Sequence, residues 1–404
     1  MSPLALRNIR LLNTFNFCSD FRIYAPIAVV YFAHVTGSYA LAVLLFSIAK
    51  ISSTILEVPT GLISDRVGRR LTIIAGQAAS ILSIGCYAFG GDFRALAAGA
   101  AFEGLAFSCF SGNNEALLYD TLKEEGRRDQ YADYQGRASS MFQIALAISA
   151  ALAAVVLLGF GMRQLFVLSL IPQAIGLAVA FLFHEPAQHD RRFETNIFSH
   201  LSEAFAAFAY DARLRELSIA SILGFAVGEA NHMFYPAFFA LLWPSWALGV
   251  AGFITHGLAT LGFRAAGRLV RRFGELRVLL WSSVASKAFL LSALVVPNVT
   301  SPAVSSLASL LFGPNVIAQG SLMQKGFTDA QRATMASLIG FGGNLLFAVA
   351  VYALGALADR VGPRYALLTA EILAISVTLL YWRLYRSVSA EMGSNMHEDQ
   401  AAQR

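Results

Sequence analysis

The sequence predicts an all-α polytopic membrane protein with twelve transmembrane helices in two pseudo-symmetric six-helix bundles. The first observation behind this fold class is composition: 56% of the 404 residues are hydrophobic and only 14% are charged, whereas soluble domains average about 25% charged. The net charge of +5 comes from basic residues scattered among short loops, which argues against a nucleic-acid-binding surface. The other two observations are regularly spaced apolar stretches and a short motif that recurs in both halves.

Apolar stretches of about 20 residues recur along the chain, each long enough to cross a hydrocarbon core of roughly 30 Å. Because backbone polar groups must be satisfied inside a bilayer, each stretch is predicted to be a helix. The first span lacks a small-residue cleavage site, so we expect it to be retained. The predicted spans are 10–33, 40–62, 71–90, 95–119, 134–157, 162–184, 215–241, 246–268, 277–296, 302–324, 333–356 and 365–386.

Basic residues are distributed unevenly between alternate loops. With the N-terminus in the cytoplasm, all but seven of the 30 lysines and arginines fall in cytoplasmic loops and tails or at the cytoplasmic ends of the predicted spans. The exceptions are four in outer loops (Arg94, Arg163, Arg360 and Arg364) and three deeper inside spans (Arg22, Lys50 and Lys287). This bias predicts an even number of crossings with both termini inside.

One long connection, after the sixth span, divides the chain. We predict an N-terminal bundle over 1–185, a cytoplasmic linker over 186–213, a C-terminal bundle over 214–388 and a disordered cytoplasmic tail over 389–404. Apolar linker residues at helical spacing predict an amphipathic helix on the membrane surface; a disordered linker is the alternative. These residues are Phe193, Ile197, Leu201, Phe205 and Phe208.

The loop between the second and third spans reads Gly61-Leu-Ile-Ser-Asp65-Arg66-Val-Gly68-Arg69-Arg70. We expect Gly61 and Gly68 to allow close backbone approach and a sharp reversal, and Asp65 to lie beside the positive end of a neighbouring helix. A degenerate copy after the eighth span, 267–274, has arginine in place of the aspartate. A third copy, 355–364, follows the eleventh span and faces the outside in the predicted topology.

This loop resembles the signature loop of the major facilitator superfamily, which lies between its second and third transmembrane helices. The resemblance extends over 5–388 and implies parallel six-helix repeats, alternating access, a central cavity lined by helices 1, 4, 7 and 10, and a functional monomer. The matching residues are Gly61, Asp65, Arg66, Gly68, Arg69 and Arg70.

Charged residues inside the spans would each cost about 2.5–3.5 kcal/mol if they faced lipid. We therefore expect most of them to face one another or a watery cavity. They are Asp20, Arg22, Lys50, Glu103, Glu229, Lys287 and Glu371. Polar and aromatic residues form stripes on spans 1, 4, 7 and 10. The predicted cavity residues are Asn16, Asp20, Tyr24, Glu103, Phe107, Asn114, Phe225, Glu229, His232, Asn315 and Gln319.

Such a mixed aromatic and polar lining suits a small amphipathic organic solute. We expect Asp20 and Glu229 to carry protons, with His232 assisting; the alternative is that the carboxylates are static partners of intramembrane cations. Lys287 and Glu371, on helices that are peripheral in the family, are expected to form a structural pair.

On the cytoplasmic side, the segment that contains Glu115, Asp120 and Arg137 resembles a conserved loop of bacterial facilitators, which implies an inner-gate charge network of these three residues with Arg66 and its neighbours; a solvated charged loop is the alternative. The sequence departs from proton-driven drug exporters, because Ala100 stands where they carry an arginine in the fourth helix. The fifth span also lacks their Gly-Pro-rich motif. These departures weaken a drug-antiporter assignment without affecting the fold.

The sequence thus predicts a secondary active transporter in a bacterial inner membrane, with proton-coupled efflux of an organic solute favoured and proton-coupled uptake of a nutrient or metal chelate as the alternative. A membrane enzyme or sensor is the other class considered. The chain lacks H-E-x-x-H, G-x-x-x-x-G-K and G-x-S-x-G motifs, which would indicate zinc, nucleotide and serine-hydrolase chemistry. We expect no metal, no cofactor and no catalytic residue.

Overall fold

The computed structural model describes residues 2–127, 130–185, 212–326 and 329–387, and these residues contain helices, turns and no β-strand. Almost all of the predicted linker and the whole of the predicted tail lie outside the described residues. The amphipathic helix and the disordered tail therefore stay predictions.

Helices occupy all twelve predicted positions, in agreement with the predicted fold class. By length and composition, nine helices of the described part of the chain could each cross a membrane. The spans, in chain order, are Pro3–Asp20 with Ala28–Thr36, Tyr39–Val67, Arg69–Phe89, Phe93–Phe110 with Asn113–Glu124, Tyr131–Val156, Met162–Ala180, Ala212–Phe239, Ser245–Phe273, Glu275–Val295, Ser301–Leu307 with Phe312–Gly326, Asp329–Val361, and Pro363–Leu373 with 375–387.

Three of the four spans predicted to line the cavity are interrupted. The first span breaks after Asp20 and resumes through a 3₁₀ turn at Ala25–Ile27. The fourth reverses locally at Gly112, whose φ of +70° suits glycine. The tenth passes through a 3₁₀ segment, Ala308–Leu311. The continuous helical stripe predicted along the first span is therefore wrong beyond Asp20, because the helix ends there.

Buried side chains satisfy the backbone groups that the break in the first span releases. Gln173, on the sixth span, donates from Nε2 to the carbonyl oxygens of Cys18 and Ser19, each at 3.1 Å. The Ser169 hydroxyl accepts the backbone N–H of Ile23 at 3.0 Å. Since an unsatisfied backbone group inside a bilayer costs several kcal/mol, these contacts make the interruption a stable feature of the fold.

Residue contacts divide the chain into two compact units. Unit 1 contains Met1–Phe193, Met233–Gly257 and Val351–Pro363; the rest of the chain forms unit 2. This division differs from the predicted bundles, because ends of the seventh, eighth and eleventh spans pack with the first half. Gly249 shows why: a Cβ there would lie 2.5 Å from the backbone nitrogen of Ala154, so only glycine permits this approach.

Arginines two residues after a loop glycine join the ends of neighbouring spans. A helix end leaves its last carbonyls without partners and carries partial negative charge, so a guanidinium is a suitable donor. The three pairs, with Arg as donor, are Arg70 to Phe181 O at 2.7 Å, Arg163 to Ala88 O at 2.7 Å, and Arg364 to Leu294 O and Val295 O at 2.9 Å each.

Candidate functional site

The signature loop makes a sharp reversal at Gly68, whose φ is +100°. This confirms the reversal expected there. The close backbone approach expected at Gly61 is wrong, because the space around its missing Cβ is open. Asp65 Oδ1 lies 3.0 Å from Arg69 Nη1, four residues later at the start of the third span.

The carboxylate at the positive end of the third span belongs to Glu185 and not to Asp65. Its two oxygens accept the backbone N–H groups of Arg69 at 2.7 Å and Arg70 at 2.6 Å. Sequence reasoning missed Glu185. Its position directly after the sixth span, before Pro186, was the available signal, because antiparallel neighbours end near each other's beginnings.

Other residues on the cytoplasmic side of unit 1 make contacts near the signature loop. The Arg69 guanidinium donates to Ser64 Oγ and Asn113 Oδ1, each at 3.1 Å. Glu115 accepts a hydrogen bond from Gln135 at 3.1 Å, and Arg66 is exposed. Asp120 is half-buried, and the side chain of Arg137 lies outside the described residues. The gate network therefore stays a prediction.

An ion pair inside unit 1 joins the first and fourth spans. Arg22 Nη1 lies 2.5 Å from Glu103 Oε1, and each side chain is 14% exposed. The Tyr87 hydroxyl donates to Glu103 Oε2 at 2.8 Å, and the Arg22 guanidinium lies 4.8 Å from the centroid of the Phe107 ring. Arg22 reaches this position because the helix has already ended at Asp20.

Polar residues on the adjoining turns surround this pair. Asn114 Nδ2 donates to Asn16 Oδ1 at 3.1 Å, while Asn114 Oδ1 is buried without a hydrogen-bond partner in the described part of the chain. Asp20 is half-buried. Tyr24, predicted to line the cavity, is instead 5% exposed and stacks on Phe166 with ring centroids 4.4 Å apart, because the 3₁₀ turn redirects its side chain.

Unit 2 contains a second intramembrane ion pair, between the ninth and twelfth spans. Lys287 Nζ lies 2.6 Å from Glu371 Oε2, and Asn231 Nδ2 donates to Glu371 Oε1 at 2.9 Å. Glu371 is 1% exposed. The predicted pairing is confirmed; its structural role stays a prediction. Asn231 is a participant that sequence reasoning missed.

The predicted cavity residues of unit 2 separate into two groups. Phe225 is 42% exposed, His232 is exposed and Glu229 is half-buried. Asn315 and Gln319 instead turn toward neighbouring helices: Asn315 donates to Ser282 Oγ and Gln319 to the Tyr381 hydroxyl, each at 3.3 Å.

The more exposed residues of the tenth span include Phe312 and Val316, which are 52% and 38% exposed. The amides of Asn315 and Gln319 make contacts between helices of unit 2, while both side chains stay half-buried; their place in a cavity stays a prediction. Among the described residues no group of three or more His, Cys, Asp or Glu side chains is arranged to hold a metal ion.

Each unit thus combines a neutralised ion pair with a second, half-buried carboxylate on a span predicted to line the cavity. In unit 1 the second carboxylate is Asp20, and in unit 2 it is Glu229. In the described part of the chain neither lies within ion-pair distance of a basic group. A carboxylate inside a membrane that has no cation within ion-pair distance is stable when it is protonated or hydrated.

Comparisons with known proteins agree with this architecture. The family profile of the Major Facilitator Superfamily matches residues 11–351. A crystal structure of a mutant form of the nucleoside transporter NupG matches with a TM-score of 0.79 at 15% identity, covering 95% of this chain and 100% of that chain. None of the curated protein sequences matches.

A second similar structure is a bacterial homologue of the human lysosomal transporter Spinster, solved inward-facing and unoccupied. It has a TM-score of 0.73 and 15% identity, and covers 96% of this chain and 98% of that chain. At this identity the structural likeness establishes the fold alone. The family profile matches most of the sequence and therefore establishes the family. The chain belongs to the major facilitator superfamily and is a multi-pass membrane transporter.

Proposed function

We propose that this protein is a proton-coupled secondary transporter that exports a small amphipathic organic solute by alternating access. The observation that carries the proposal is the presence in each unit of a half-buried carboxylate, Asp20 or Glu229, that is not a member of that unit's intramembrane ion pair. A carboxylate that exchanges a proton as its surroundings change would couple the proton gradient to the conformational cycle.

The solute class follows from the side chains around these carboxylates. Phe107 and Phe225 are 39% and 42% exposed, so they offer ring faces to a flat or apolar part of a ligand. The Asn16–Asn114 pair adds amide groups, and Asn114 Oδ1 is a buried acceptor without a partner among the described residues. The alternative is proton-coupled uptake of a nutrient, and the nucleoside transporter among the similar structures makes nucleosides sensible test solutes.

The test is transport by purified protein in proteoliposomes with an imposed pH gradient. We expect solute to move against the proton flux; movement with the proton flux would instead establish uptake. We expect Glu229→Gln and Asp20→Asn each to reduce the rate of gradient-driven transport at least about tenfold. Both variants should keep solute counterflow, because exchange requires no net proton movement. Full gradient-driven transport by both variants would remove these carboxylates from the mechanism.

The proposal includes the orientation and assembly expected from the sequence: a bacterial inner membrane, both termini in the cytoplasm, and a functional monomer. It involves no metal, cofactor or nucleic acid. Cysteine labelling from each side of intact cells tests the orientation, and the mass of the detergent-solubilised protein tests the monomer.

A further inference from the structure

The third copy of the recurring motif, at the end of the eleventh span, has a contact that the proposed function does not use. Asp359 Oδ2 accepts a hydrogen bond from the Ser38 hydroxyl at 2.6 Å. Its Oδ1 accepts the backbone N–H of Tyr39 at 2.6 Å, and Oδ2 also accepts that of Ala40 at 3.1 Å. The partners are about 320 residues apart in the sequence and belong to unit 1.

Asp359 occupies the positive end of the second span, Tyr39–Val67. The first N–H groups of a helix have no partners within the helix and carry partial positive charge, so a carboxylate there is favourable. Ser38 is also the N-cap residue, and its Oγ accepts the N–H of Leu41 at 3.2 Å. The second span therefore begins with two caps, of which one comes from a distant segment.

Backbone packing beside this contact is unusually close. A Cβ on Gly355, one turn before Asp359, would lie 2.5 Å from Val43 Cγ2 and 2.7 Å from the Tyr39 carbonyl oxygen. The Tyr39 ring also meets Phe234, with centroids 5.5 Å apart. Gly355 and Asp359 thus act together. The missing side chain of Gly355 allows the second span to pack closely, and the Asp359 carboxylate binds the first turn of that span.

The first copy of the motif shares its two glycines and the Asp-Arg-Val run with the third copy, but its contacts are different. Asp65 pairs with Arg69 of its own loop, and Gly61 has open space around it. Motif position alone therefore does not produce the contact that Asp359 makes. Asp359 is also exposed, so water can replace its hydrogen bonds when the two segments separate.

We propose that Asp359 is a reversible latch that holds the end of the eleventh span against the start of the second span, on the membrane face opposite the Gly61–Arg70 loop. This inference rests on alternating access and not on the solute or the coupling ion. In the state described here the latch is closed. Opening of that face requires the three hydrogen bonds to break, so losing the carboxylate shifts the equilibrium toward the open form.

The test measures the distance between spin labels on the full-length protein in lipid nanodiscs, without solute or gradient. The labels go on His34→Cys and Val361→Cys, both at exposed positions, after replacement of the three native cysteines by alanine. We expect Asp359→Ala to raise the ratio of long to short distances about tenfold, or about 1.4 kcal/mol. We expect Gly355→Val to raise this ratio as well, because its larger side chain pushes the two spans apart without altering charge.

Asp92→Ala is the matched control, because Asp92 also caps a helix but its side chain accepts, among the described residues, only the local N–H of Ala95 at 2.9 Å. The control should leave the distance distribution unchanged. If Asp359→Ala and Gly355→Val both give the wild-type distribution in well-folded protein, the latch is refuted. Since no transport is measured, this result is independent of whether the export proposal holds.

Discussion

The two intramembrane ion pairs lie in different surroundings. Arg22 and Glu103 are each 14% exposed, and Phe107, which the guanidinium contacts, is 39% exposed. In the other pair, Glu371 is 1% exposed while Lys287 is 19% exposed. Both members of the first pair are therefore partly exposed, whereas the carboxylate of the second pair is sealed.

This difference indicates how similar chemistry can serve two purposes. A sealed carboxylate with a cation and an amide on its two oxygens has little freedom to change partners, which suits a brace between the ninth and twelfth spans. A partly open pair beside a helix break can exchange its partners as the surroundings change. We therefore expect mutations in the Lys287–Glu371 pair to act mainly on stability and mutations in the Arg22–Glu103 pair mainly on transport.

The largest effect on stability is expected for Lys287→Met. This change leaves Glu371 buried without its cation, and breaking a buried pair in this way costs about 3–5 kcal/mol. Thermal unfolding in detergent should show a clear loss of stability. The double variant with Glu371→Gln should recover most of it, because no unpaired charge then remains. Equal stability of the single and double variants would contradict a sealed pair.

A smaller effect on stability, with a larger effect on transport, is expected for Glu103→Gln. The glutamine can still accept the Tyr87 hydroxyl, and the partly exposed Arg22 can find water, so we expect a loss of about 1–2 kcal/mol. Gradient-driven transport should fall at least about tenfold. The Lys287→Met, Glu371→Gln double variant is the control and should transport at near the wild-type rate. Slower transport by the double variant than by Glu103→Gln would show that the Lys287–Glu371 pair, and not the Arg22–Glu103 pair, acts in transport.

The smallest effect concerns the arginines that join helix ends in the two halves. Arg364→Ala removes two charged hydrogen bonds to carbonyls and Arg70→Ala removes one. Since a hydrogen bond to a charged group contributes about 1.5–3 kcal/mol, less where solvent competes, we expect Arg364→Ala to lower the unfolding temperature more. Identical unfolding temperatures would show that solvent replaces these bonds at no cost.

Some site residues could be predicted because a charge in a membrane has few stable arrangements. Lys287 and Glu371 were expected to pair for this reason, and they do. Glu185, Gln173 and Asn231 were missed, because each is recognised only through the neighbouring backbone or side chain that it contacts. No periodicity in the sequence shows which helix end faces Glu185 or which carbonyls Gln173 meets.

Composition, span length and the signature loop were enough to predict the all-helical class, the twelve helical positions and the family. They were enough because a bilayer permits only helices at apolar stretches of this length and the loop is locally encoded. The break in the first span, the pairing of the carboxylates and the capping of a distant helix by Asp359, and not by Asp65, became visible only in the folded chain. These features depend on contacts between segments up to about 320 residues apart, and such contacts leave no periodic pattern in a single sequence.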